Sequence, residues 1–159
     1  MNIVFLNELQ NNPLWRGQSK PIQGIPLSEI EQLEQAWNNS NLFPRALREL
    51  LFLAGKKCYV LDYGWFEGGQ HQMQLDAREW MTEEGLERTI TRPFYVLEVR
   101  DEEAFLMVYL DEGDNPFMRT VYLPHRTYGD ENWNRNTDRT LKDFINERIS
   151  DVKKGFNPF

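Results

Sequence analysis

A chain of 159 residues, 40% hydrophobic and 27% charged, has the length and composition of one folded domain, which excludes a disordered polymer or a two-core protein. A single cysteine, Cys58, excludes an internal disulfide and a cysteine-based zinc site. The net charge of −7 disfavours direct binding to nucleic acid. Ile3 to Leu6 is too short for a secretory core, and no stretch approaches the roughly 18 apolar residues a membrane-spanning helix needs, so the cytoplasm is the expected compartment.

Residues 1–25 lack a period and are punctuated by Pro13 and Gly24, which predicts an extended N-terminal arm anchored by Trp15. A first helix is expected from Ser28, where Ser28 and Glu31 have capping-box spacing and Ile30, Leu33 and Trp37 share one face. The polar run Asn38 to Asn41 ends it, because these side chains compete for backbone hydrogen bonds. A second helix opens at Pro44, buries Leu47, Leu50, Leu51 and Ala54, and stops at Gly55 in the left-handed position.

Cys58 to Phe66 has the aromatic and β-branched content of a strand. Cys58 within it reads as a buried, reduced thiol. Gly68 and Gly69 then introduce a helix whose Met73, Ala77, Trp80 and Met81 share a face, with Gly85 after its end. Phe94 to Val99, Ala104 to Leu110 and Phe117 to Leu123 follow as three strands joined by short turns, an antiparallel meander. Ala104 to Leu110 is apolar throughout and is expected to be covered on both faces. Residues 124–139 read as a long loop. Thr140 and Asp143 cap a last helix with a stripe of Leu141, Phe144, Ile145, Ile149 and Val152, ended by Gly155.

The expected fold class is therefore α+β. An N-terminal helix pair (26–55) packs on a mainly antiparallel β-meander with an inserted helix (58–123), and a C-terminal helix (140–154) closes the domain.

Candidate chemistry is sparse. His71 and His125 lack metal-ligand spacing, so no metal or cofactor is expected. Asp111 to Asn115 lacks the residue order of a calcium loop, and none of the many possible carboxylate pairs is singled out for hydrolysis. Charge is uneven: residues 101–131 hold eight acids against two bases. Asp101, Glu102 and Glu103 fall in one hairpin turn, Asp111, Glu112 and Asp114 in the next, and Asp130 and Glu131 in the loop after the third strand, with Tyr128 and Trp133 nearby. Brought together, these would form a charged rim around aromatic anchors suited to a basic protein partner. Taken apart, they are charged turns that keep a meander soluble and block edge pairing.

The order of helix, polar corner, Pro-led Leu-rich helix, Gly, meander and closing helix resembles the SUKH superfamily. The residues that carry the resemblance are Ile30, Leu33, Glu34, Pro44, Leu47, Arg48, Leu50, Leu51 and Gly55, then Leu141, Phe144 and Ile145. That family includes bacterial immunity proteins that neutralise polymorphic toxins and fungal regulators of cell-wall assembly. The resemblance implies a non-enzymatic immunity protein that binds a cognate toxin, with a basic nuclease as the expected type of partner. It also leaves open an adaptor in a regulatory complex, and the residues alone leave open a carboxylate-dependent hydrolase.

Overall fold

The computed structural model describes residues 1–14, 21–64, 68–86, 90–100, 103–123 and 133–157. Among them are five α-helices, α1 (Asn7–Asn11), α2 (Leu27–Trp37), α3 (Arg45–Ala54), α4 (Gly69–Glu83) and α5 (Leu141–Lys153). Four strands, β1 (Phe94–Arg100), β2 (Ala104–Tyr109), β3 (Phe117–Tyr122) and β4 (Asn134–Thr140), form one antiparallel sheet in the order β1-β2-β3-β4. The class is α+β.

The sheet separates two apolar layers. Strand side chains alternate between faces, so Tyr95, Leu97, Leu106, Val108 and Met118 join α1, α2, α3 and α5. Phe94, Val96, Phe105, Met107 and Val121 join α4. β2 is buried at every position, as its unbroken apolar run predicts. α4 also closes the outer edge of β1. The Gln74 carboxamide accepts from the Val96 N–H at 2.8 Å and donates to the Val96 carbonyl at 2.8 Å, as a neighbouring strand would.

A β-bulge between Val96 and Glu98 puts two residues of β1 opposite one of β2. The extra residue turns Glu98 onto the α5 side of the sheet, while Val99 joins the α4 side. There Arg148 of α5 grips the Glu98 carboxylate with both terminal guanidinium nitrogens, Nη2 at 3.0 Å, and Nη1 also donates to the Val60 carbonyl at 2.7 Å. The pair is almost fully buried.

Five expectations need correction. Residues 58–64 form no strand: Lys57 makes an isolated bridge with Gln23, and Tyr59, Val60 and Leu61 are buried in an irregular segment. Its backbone groups are taken by side chains, Val60 by Arg148 and the Asp62 N–H by Glu98, in place of a ladder. Residues 134–140 are a strand where a loop is expected. β4 is a polar edge strand whose pairing to β3 needs no apolar face.

α2 begins without the capping box. The Pro26 carbonyl accepts from the Glu29 and Ile30 amides, which places Ser28 inside the first turn. Gly55 is not left-handed but has φ −64°. Its requirement is space, since a Cβ there would lie 2.5 Å from the Leu51 carbonyl oxygen. The N-terminal arm is not wholly irregular, because α1 forms within it and Ile3, Leu6 and Leu9 enter the core. Trp15 lies outside the described residues.

Other local expectations match. Thr140 caps α5, with its hydroxyl oxygen accepting from the Asp143 amide at 3.3 Å. The α2–α3 corner is tied by Asn38, whose amide donates to the Asn41 and Leu42 carbonyls at 3.1 and 2.9 Å. Residues Asn39 and Ser40 there have φ of 50° and 64°.

Burial also sets an alkaline limit. It pushes the Cys58 thiol up to about 11 and the Tyr59 phenol up to about 12, and raises the Tyr63 and Tyr95 phenols as well. Above the ordinary thiol and phenol values the unfolded chain releases protons that the folded chain retains, so stability falls as pH rises. Melting followed between pH 7 and 11 should show a level stretch to about pH 9 and then a decline. In Cys58→Ala the decline should begin nearer pH 10, where the tyrosines take over.

Candidate binding surface

In an antiparallel meander, consecutive turns fall at opposite ends of the strand between them. The β1–β2 turn and the β2–β3 turn are therefore separated by the length of β2, roughly 20 Å for six residues. The structure does not bring Glu103 together with Asp111, Glu112 and Asp114. Glu103 and Trp133 lie at one end, where the Trp133 carbonyl accepts from the Tyr122 N–H at 2.7 Å and the Glu103 carbonyl from the Leu123 N–H at 2.9 Å. Asp111, Glu112 and Asp114 lie at the other. Asp101, Glu102, Tyr128, Asp130, Glu131 and His125 fall outside the described residues.

The β2–β3 end is the better defined. Its loop is stitched to two helix N-termini: the Ala46 amide of α3 donates to the Asp114 carbonyl at 2.8 Å, and the Leu141 amide of α5 to the Pro116 carbonyl at 2.8 Å. The Asn115 side-chain oxygen accepts from the Lys142 amide at 3.0 Å. These bonds use helix donors that no turn of the helix can satisfy, and they fix the loop.

On this platform, two of the three acids are already committed. Arg92 Nε donates to both oxygens of Asp111, at 3.1 and 3.0 Å, and Arg92 Nη1 to Glu112 at 3.1 Å. Glu112 also holds Arg119 at 3.4 Å. Both guanidiniums lie against the Tyr109 ring, 4.0 and 4.7 Å from its centroid, and the Tyr109 hydroxyl accepts from Asn134 at 3.0 Å. The Arg92 guanidinium holds the Asp111 carboxyl below the usual carboxylate range. Of the three carboxylates in this loop, Asp111 and Glu112 are taken up by Arg92 and Arg119, and Asp114 is left outside the cluster.

The Asp114 side chain is exposed and makes no ion pair among the described residues. It lines a cleft of about 380 Å³ with Leu42, Pro44, Arg48 and Leu110. Leu42 is 66% exposed, and Phe117, at the start of β3, is 43% exposed. A free carboxylate thus stands at a fixed loop with two large exposed apolar side chains at the same end. That composition suits a protein contact, in which apolar anchors hold and a rim charge steers.

Sequence reasoning missed three buried carboxylates that build the scaffold beneath this surface. Glu34 accepts from the Phe43 amide at 2.7 Å and pairs with Arg48 at 3.2 Å, which sets the α2–α3 corner. Glu49 accepts from the amides of Val4, Phe5 and Leu6 at 2.8, 2.8 and 3.0 Å, and from Arg45 Nε at 3.0 Å, docking the N-terminal arm. Glu98 is the third. The available signal was an acid inside an apolar run, with Arg148 in register on the apolar stripe of the last helix.

Among the described residues no group of three or more His, Cys, Asp or Glu is placed to hold a metal ion, and no helix is long and apolar enough to cross a membrane. No family model, curated protein or solved structure matches the chain.

Proposed function

We propose that the chain is a non-enzymatic immunity protein that binds and neutralises a cognate bacterial toxin domain, with a basic, nuclease-type surface as the expected partner. The observation that carries this reading is the β2–β3 end of the sheet. Leu42 and Phe117 supply exposed apolar contact area there, and Asp114 supplies an unpaired carboxylate on a loop fixed to α3 and α5. The SUKH-like order of elements supports a protein-binding role, and the immunity members of that family supply the class of partner proposed. A basic toxin surface would meet Asp114 first, and the Leu42 side would bury on closing.

Co-expression with the toxin domain encoded beside it should restore growth of a susceptible host. The double variant Leu42→Asp with Asp114→Lys changes only exposed side chains, so it should keep its melting temperature and lose protection. Failure of the unaltered chain to protect, with both proteins folded and expressed, contradicts the reading.

A further inference from the structure

Arg78 of α4 differs from the other partly or fully buried arginines among the described residues. Arg45 pairs with Glu49, Arg48 with Glu34, Arg119 with Glu112 and Arg148 with Glu98. Arg78 has no carboxylate partner among the described residues. Its guanidinium lies between two aromatic faces, 4.2 Å from the Trp37 ring centroid and 4.2 Å from that of Phe94. Aromatic faces offset part of the cost of burying a cation, but supply no counter-charge. Burial pushes the guanidinium down to about 10, so it stays charged at neutral pH.

The donors can be counted. Nη1 donates to the Gln74 carbonyl at 3.0 Å and to Gln74 Oε1 at 3.3 Å, and Nη2 donates to the Phe94 carbonyl at 2.9 Å. A guanidinium carries five N–H groups. Among the described residues the Nε–H and one Nη2–H have no protein acceptor, and an arginine Nε–H with its neighbouring Nη2–H can take a carboxylate through two parallel bonds. The indole N–H of Trp37, in the same stack, is buried and also lacks an acceptor. Beside the stack is a cavity of about 190 Å³, lined by Arg78, Met81, Thr82 and Phe94. That is below the roughly 300–1,000 Å³ of sites for drug-sized ligands, and its Met81 and Phe94 walls are apolar.

We propose that this cavity receives a carboxylate carried on a short aliphatic chain, held by the unspent N–H groups of Arg78 with the chain against Met81 and Phe94. The same chemistry is offered by a free short-chain acid and by a glutamate side chain of a partner protein. The site is independent of the toxin-binding reading and can be tested with small molecules alone.

The full chain, labelled with nitrogen-15, is titrated with sodium isovalerate while the Arg78 Nε–H and Trp37 Nε1–H resonances are followed. A saturable shift with a millimolar Kd is expected, and the neutral isostere isovaleramide should give none. Arg78→Lys keeps the charge and removes the fork, and should weaken binding about tenfold. Thr82→Tyr places a ring in the cavity from an exposed position, and should abolish binding in a chain that still folds. N-acetylglutamate amide binding more tightly than isovalerate assigns the carboxylate to a partner protein, and the reverse assigns it to a free acid. Absence of a saturable shift, or an equal shift with isovaleramide, overturns the proposal.

Discussion

Arg148→Met should lower stability by about 3–5 kcal/mol, because it leaves the Glu98 carboxylate buried without its main partner. Glu98 is 1% exposed, and with Arg148 gone Arg100, half in solvent and 2.9 Å from Glu98 Oε1, is the one cation left beside it among the described residues. The Val60 carbonyl would lose its donor as well. For a domain of this size the loss corresponds to a melting shift of roughly 10 °C. The matched double variant Glu98→Met with Arg148→Met should recover most of it, since apolar residues of similar volume can replace a buried ion pair at little or no cost. Thermal melts of the two single variants and the double variant close the cycle. A double variant no better than Arg148→Met would show that the pair has no such coupling and that the guanidinium stem or the Val60 bond dominates.

The second large effect is expected at Glu49, which is 0% exposed. Glu49→Ala removes the acceptor for three consecutive backbone amides and the partner of Arg45. Each buried donor left unsatisfied costs about 1–3 kcal/mol. The arm has an escape, because it can peel away and let water satisfy those amides. The loss is then limited to what docking of Ile3, Leu6 and Leu9 contributes, on the order of 1.5–3 kcal/mol for each fully buried side chain. Glu49→Gln should be nearly as damaging, since an NH2 group replaces one of two oxygens that both face N–H donors. Hydrogen exchange distinguishes local from global loss. Protection of Val4 to Leu6 should disappear in Glu49→Ala while β2 amides remain slow. Uniform loss across β2 would mean that the arm is inseparable from the core.

Much of the architecture was legible because periodicity reports burial directly. The stripes of α3 and α5, the α4 face of Met73, Ala77 and Met81, and the apolar runs of β1, β2 and β3 all lie where hydrophobic spacing places them. β4 was not legible, since an edge strand with no apolar face carries no alternation, and the segment at residues 58–64 misled because burial without a ladder has the composition of a strand. The buried roles of Glu34, Glu49 and Glu98 were not legible, because a single sequence does not show which carboxylates accept backbone amides. The separation of the acidic turns, by contrast, follows from meander topology once the strands are assigned. The pairing of Asp111 and Glu112 with Arg92 does not, because Arg92 precedes the strand and reaches the loop only through the register of β1 on β2.

On the proposed function, the β2–β3 end of the sheet, carrying Leu42, Asp114 and Phe117, is the surface that meets a toxin. Hydrogen-exchange footprinting of the chain alone and bound to the toxin domain tests it most directly. The predicted footprint covers residues 42–48 and 110–119 and spares Glu103, Leu123 and Trp133. Protection confined to the Glu103 and Trp133 end, roughly 20 Å away along β2, would contradict it.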